Sequence, residues 1–346
     1  MIRFGGMALA LTLAALDLTL ATPALAQNAD GPYKGMQLRV VISAGVGGGY
    51  DAYARLLARH LDKYVAGRPA IVLQNMPGAA GMLATNWAYS VAPKDGTVLL
   101  ATYNALIPEP LFGNPAVQFD PLKFEWIGSI GKQQNICVTW HTNKIKTIDQ
   151  AIGQNLTVSS TGATGFSATM GLVLNALIGT KIKVVLGYAT NEARLAVERG
   201  ETDGICGLSW STLKASNPDW IQNKRLNVLV QTGSKPHYEL PDTPLLIDLV
   251  KSETDKKVVD LISFSEDMGR PFVMPPGTPE HLVQAVRRGF DATMKDPDFL
   301  EDARKGMMEV DPLTGEEMKA SLERNYKASP ALIKRAAELL ASSEKK

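Results

Sequence analysis

The chain has 346 residues, 36 Lys and Arg against 35 Asp and Glu, and two cysteines. A net charge of +1 with no block of like charge argues against nucleic acid or an anionic membrane as partner. Two cysteines are too few for a disulfide scaffold, and the length exceeds that of a usual single core, so two domains are expected.

Residues 1–26 read as a secretory signal: Arg3 precedes an apolar run from Met7 to Leu20, and Ala24-Leu25-Ala26 stands before Gln27. The run is shorter than the roughly 20 residues a membrane span needs and contains Asp17. Cleavage after Ala26 and a soluble, exported mature chain are expected.

From residue 37 to about 232, apolar strand-like runs alternate with helical patterns, which predicts an α/β fold with parallel sheets. The first set comprises strands at 37–43, 70–74 and 97–102 with helices near 51–65 and 80–91. Its first helix puts Tyr53, Leu56, Leu57, Leu61 and Tyr64 on one face and Arg55, Arg59 and Lys63 on the other. A second set has strands near 136–140, 156–160, 183–188, 202–208 and 226–231, a helix over 167–177, and a capping box at Thr147 and Gln150. After a proline-rich link around 236–244 comes a helical tail. Thr278-Pro279 reads as an N-cap with a first-turn proline, and Thr314 with Glu317 as a second capping box.

Open α/β sheets bind ligands at the carboxyl ends of their strands. The loop after the first strand carries Gly45, Gly47, Gly48 and Gly49 and opens a helix, so its free N–H groups and the helix dipole can hold a carboxylate or phosphate without a cationic side chain. A second glycine turn, Thr161, Gly162, Ala163, Thr164 and Gly165, stands at the matching place in the second set, and the two could pinch a carboxylate between them. Met76-Pro77-Gly78 reads equally as a connecting turn or a ligand contact. The loops at Thr102, Tyr103 and Asn104, and at Tyr188 and Asn191, also face the strand ends. Tyr50, Tyr103, Tyr188 and Trp210 read as pocket lining or as packing. Asp51 reads as orienting the glycine turn from the first helical turn. Asp203 reads either as accepting from a ligand donor or as a capping acid.

Gly47-Gly48-Gly49-Tyr50-Asp51-Ala52 fits a loose dinucleotide fingerprint, but the next strand ends in Gln74-Asn75 where an acid for the ribose would stand. Signatures of nucleotide hydrolysis, zinc peptidase and serine hydrolase chemistry are missing. His60, His141, His237 and His281 are scattered and form no metal set. No cofactor and no catalysis are expected. Cys137 and Cys206 read either as one bridge or as two separate buried thiols.

Together the segments GVGGGYDAYARLLARHL, VLQNMPGAAG, APKDGTVLLATYN, TVSSTGATGFSA, RGETDGICG, ELPDTPLL and MPPGTPEHLVQAVRRGFDATMKDPDF, in this order and spacing, resemble the receptors of tripartite tricarboxylate transporters, the Bug family of periplasmic solute-binding proteins. The resemblance covers nearly the whole mature length. It implies a two-lobed, type II flytrap fold with a mainly parallel sheet in each lobe: 27–131 plus 233–346 in one lobe and 132–232 in the other. It also implies a periplasmic monomer that holds a small mono-, di- or tricarboxylate and delivers it to membrane transporter subunits, or alternatively senses it for a signalling partner. The carboxylate would lie on Gly47, Gly48, Gly49 and Tyr50, facing Thr161 to Gly165, with the family's second-lobe acid falling on Asp203. The strands holding Cys137 and Cys206 would be neighbours, implying a bridge or close thiols. Departures from the family pattern fall at Ala44-Gly45-Val46, at Tyr50, and at Tyr188-Ala189-Thr190-Asn191.

Overall fold

The structure, a computed structural model, describes residues 1, 30–160, 166–188 and 190–341. The segment read as an export signal, and Thr161, Gly162, Ala163, Thr164 and Gly165 of the second glycine turn, lie outside the described residues.

Among the described residues, eleven strands form two mixed sheets. The first contains β1 (Gln37–Ile42), β2 (Ala70–Asn75), β3 (Val98–Ala101), β4 (Glu125–Ser129), β10 (Pro271–Met274) and β11 (Leu313–Thr314) in the order β11-β4-β10-β3-β1-β2. The second contains β5 (Asn135–Trp140), β6 (Asn155–Ser159), β7 (Lys181–Val185), β8 (Gly204–Ser209) and β9 (Leu226–Gln231) in the order β7-β6-β8-β5-β9. Pairs β1–β2, β1–β3, β6–β7 and β6–β8 are parallel, as βαβ connections require. In the first sheet β10 is inserted antiparallel between β3 and β4, and in the second β5 is antiparallel to both β8 and β9. The chain passes from one sheet to the other between Ser129 and Asn135 and returns after Gln231. This is a two-lobed α/β fold.

The helix after β1, Gly49–His60, buries the expected face: Leu56, Leu57 and the following Leu61 are fully buried, each contributing about 2 kcal/mol. Its N-cap is Gly48, which has no side chain to cap the first turn. His60 is held at its far end between Asp302 and Asp296, a structural role. Thr314 and Glu317 form the expected capping box. At Thr147 the hydroxyl accepts from the Gln150 N–H, but the Gln150 side chain accepts from Lys146 N–H one residue before the cap. Thr278 does not cap the tail helix. Its hydroxyl donates to the Pro275 carbonyl, and the helix begins at Glu280 after Pro279.

The tail is more than helical. Besides β10 it supplies two helices, Glu253–Ser263 and Pro330–Ala341, whose Val258, Leu261, Ile262, Ala336 and Leu339 share a core with Leu156, Val158 and Leu174 of the second sheet's side. Cys137 of β5 and Cys206 of β8, both fully buried, are joined by a disulfide. Among the described residues no helix is long and apolar enough to cross a membrane.

Candidate functional site

The glycine turn is built as its sequence implies. Gly47 adopts φ +82°, the left-handed region that glycine enters without steric cost. Its N–H donates to Asp51 Oδ2 at 2.9 Å, Arg55 Nε donates to the same oxygen at 2.9 Å, and Asn75 Nδ2 reaches Asp51 Oδ1 at 2.8 Å and the Ala44 carbonyl at 2.9 Å. Burial works to raise the Asp51 carboxyl, but these hydrogen bonds together bring it below the ordinary range. Asp51 therefore holds the turn, and Asn75, at the position where a dinucleotide site keeps its ribose acid, is spent on the same task.

The turn faces the second sheet. A Cβ added to Gly49 would stand 3.0 Å from Thr212 Oγ1 and 3.8 Å from Arg270 Nη2. Next to it, Tyr50 is buried, its hydroxyl donating to Asn104 Oδ1 at 2.7 Å and lying 3.1 Å from both the Asn104 N–H and Gln133 Oε1. Burial pushes the Tyr50 phenol up to about 12, so it is a neutral hydroxyl. Tyr103 packs against its ring at 4.2 Å. Gln133 and Asn135 come from the passage between sheets, and Asn104 Nδ2 donates to the Ser265 carbonyl at 2.9 Å. Glycine turn, β3 loop and interlobe passage are thus tied into one polar floor.

Asn104 and Gln133 of this floor also line a cavity of about 490 Å³. Asn104, Gln133, Asn135 and Glu266 form its polar end, and Phe112, Phe166, Ile262 and Leu340 its apolar wall. Phe166 is the residue that follows the second glycine turn. Glu266 is buried at the passage, accepting from Asn135 Nδ2 at 3.0 Å and Thr232 Oγ1 at 2.5 Å. Burial pushes its carboxyl up to about 8 against the opposing effect of those hydrogen bonds, with Asp267 adding to the rise.

Other residues singled out in the sequence take different places. Thr102 is buried with its hydroxyl against that of Thr85 at 2.8 Å. Asp203 stands just before β8, remote from Ser209, and accepts from Thr157 N–H, Thr157 Oγ1 and Asn143 Nδ2 at 2.8, 2.6 and 2.8 Å. Trp210 is buried, its indole N–H donating to Glu239 Oε2 at 2.6 Å. Tyr188 is half-buried against the core beneath β8, and Asn191 lies in the helix Thr190–Glu198.

Sequence reasoning missed Arg270. Its backbone is fixed beside the end of β4 by Ser129 and Ile130, and its side chain runs between the rings of Tyr50 and Tyr53, with Cζ 4.8 and 4.9 Å from their centroids. Nη1 donates to Gln133 Oε1 and to the Gly269 carbonyl, and Nη2 lies 3.2 Å from Thr212 Oγ1 and 3.3 Å from Ser211 Oγ. A single arginine in a tail segment carries no motif; only β10's insertion into the first sheet brings it to the cleft.

Behind the passage, His237, Glu239 and Glu309 place ligand atoms within 4.8 Å of one another, a group that the scattered histidines did not foretell. Lys214 Nζ already stands 2.6 Å from Glu239 Oε2 and 2.5 Å from Glu309 Oε1, so the group's charge is met by the chain's own cation.

No protein-family model matches the chain. A UPF0065 protein of Cupriavidus necator is 26% identical over 342 residues, covering 94% of each chain. Protein BugT of Bordetella pertussis is 28% identical over 145 residues, covering 41% of this chain and 44% of its own. Among solved structures, a TctC solute-binding protein from Polaromonas aligns with TM-score 0.66 at 15% identity, covering 90% of this chain and 99% of its own. The periplasmic binding protein BugD aligns at 0.63 with 20% identity, covering 90% and 98%. MatC from Rhodopseudomonas palustris, solved with bound malate, aligns at 0.63 with 18% identity, covering 88% and 99%.

Proposed function

We propose that this chain, which resembles the TctC and Bug periplasmic binding proteins in fold and in sequence along its length, is an extracytoplasmic receptor that closes two lobes on a small organic carboxylate and hands it to a membrane transporter. The observation that carries the reading is the polar floor of Tyr50, Asn104 and Gln133, which lies between the sheets beside an uncapped helix N-terminus and opens on a cavity of solute size. The bound malate of MatC supports it by analogy of fold. We divide the lobes at 131/132 and 232/233, with the helices Glu253–Ser263 and Pro330–Ala341 reaching over to the second sheet's core. Residues 161–165 would form the jaw opposite Gly47, Gly48 and Gly49. Export through residues 1–26 accords with such a task.

A thermal-shift screen of mono-, di- and tricarboxylates beside dinucleotides tests this, because a ligand that binds only the native state raises Tm. At least one carboxylate should raise Tm by several degrees. A shift with dinucleotide and with no carboxylate would overturn the reading.

A further inference from the structure

We propose that Arg270 is the cationic anchor of the cleft: its guanidinium, with the hydroxyls of Ser209, Ser211 and Thr212, takes one carboxylate group of the solute at the N-terminus of the Gly49–His60 helix. The inference rests on the carboxylate-receptor reading and sharpens it, since the anion is then recognised by a charge and a planar fork and not by backbone amides alone.

Arg270 is 2% exposed, makes no ion pair among the described residues, and its Nε has no hydrogen-bond partner. A buried charge without a counter-charge is strongly unfavourable unless a partner is supplied. Tyr50 and Tyr53 offer their ring faces, which attract a cation but do not neutralise it. The contact of Nη2 with Thr212, at 3.2 Å, is at the long end of ordinary N–H···O bonds, and those with Ser211 and Ser209, at 3.3 and 3.5 Å, are beyond it. Nor do residues 161–165, outside the described structure, hold a charge to offer: they read Thr-Gly-Ala-Thr-Gly and contain no acid. What the site lacks is an anion from outside the chain.

The surroundings suit a carboxylate. The guanidinium fork matches its two oxygens. Each hydroxyl that now accepts from Arg270 can turn and donate to a carboxylate oxygen instead. The uncapped first turn of the Gly49–His60 helix, within reach of Nη2, adds the positive end of its dipole. Ser209, Ser211 and Thr212 lie at the end of β8 and the start of the next helix, whereas Arg270 immediately precedes β10 of the first sheet. A carboxylate held by both groups would therefore join the two lobes.

The experiment is titration calorimetry of the mature protein with malate, adipate and benzoate, each beside its carboxamide, repeated on Arg270→Gln, Arg270→Lys and Ser211→Ala. Wild type should bind an acid and reject its carboxamide. Arg270→Gln should weaken acid binding roughly thirtyfold or more, and Arg270→Lys should recover part of it, keeping charge without the fork. Ser211→Ala should lower the acid-to-carboxamide ratio by a few fold. Folded Arg270→Gln with wild-type affinity overturns the anchor and leaves the receptor reading intact. Wild type binding no acid overturns the receptor reading itself, and the anchor with it. If Arg270→Gln does not fold, an acid-to-carboxamide ratio unchanged in Ser211→Ala overturns the anchor.

Discussion

Glu266 shows how one residue can join local chemistry to the joint between lobes. Its carboxyl touches Asn135 from the outward passage and Thr232 from the return, and burial holds it neutral up to about pH 8. A carboxyl whose pKa is raised on folding binds its proton more tightly in the native state. The native state therefore loses stability as pH climbs from about 4.5, where an unfolded Glu ionises, to about 8. Glu266→Gln keeps both partners, because Thr232 Oγ1 can accept from the new amide while donating to the Asn135 carbonyl, 3.2 Å away. Urea unfolding at pH 5 and pH 8.5 should find the variant close to wild type at the lower pH and more stable at the higher, by about 1–3 kcal/mol. Parallel pH profiles would refute the neutral carboxyl. Asp51 and Arg270 make the contrast in legibility at this scale. Asp51 is four positions from Gly47, so its grip on the turn follows from helical spacing. Arg270 meets Tyr50 and Thr212 only through tertiary structure, and no local pattern announces it.

At the level of elements, strands that alternate with helices are readable because each must bury apolar side chains at its own period. Residues 226–231 read as a strand and form β9, and the helix over 167–177 extends by one residue at each end as Phe166–Ile178. The strand read at 183–188 forms as β7, starting two residues earlier and ending three earlier, Lys181–Val185. Short β10 and the two-residue β11 escaped notice because they lie among tail helices and owe their existence to β3 and β4, far away in sequence. Strands separated by helices foretold the parallel pairs β1–β2, β1–β3, β6–β7 and β6–β8, whereas the antiparallel placing of β10 and β5 left no local mark. The bridge between β5 and β8 closes a 69-residue interval, for which the chain-entropy model gives about 4 kcal/mol. Replacing Cys137 and Cys206 together by alanine should cost roughly 3–4 kcal/mol in urea unfolding. Wild type treated with reductant should lose a similar amount, and no loss in either would remove the bridge from the stability of the second sheet.

For the whole molecule, the sheets meet across a cleft that two crossings hold at one edge, with Gly269 pressed against the first. A Cβ there would stand 2.3 Å from Gln133 N and 2.5 Å from the Lys132 carbonyl carbon, both backbone atoms. Adding a carboxylate that raises Tm should reduce the radius of gyration in small-angle scattering, by about 1 Å if the lobes swing as rigid bodies about those crossings. Gly269→Val should blunt that compaction. Equal scattering curves with and without ligand would mean that the protein binds without closing.

The helix Pro330–Ala341 adds a consequence in time. Ala337 and Leu340 line the cavity together with residues of 104–115, 133–135, 166–169 and 262–266. During synthesis both sheets can therefore be laid down, and the glycine turn set, while the cavity still lacks a wall. Both sheets are complete in sequence by Thr314, so a protein clipped before residue 330 should keep both sheets while its cavity lacks the wall that Ala337 and Leu340 supply.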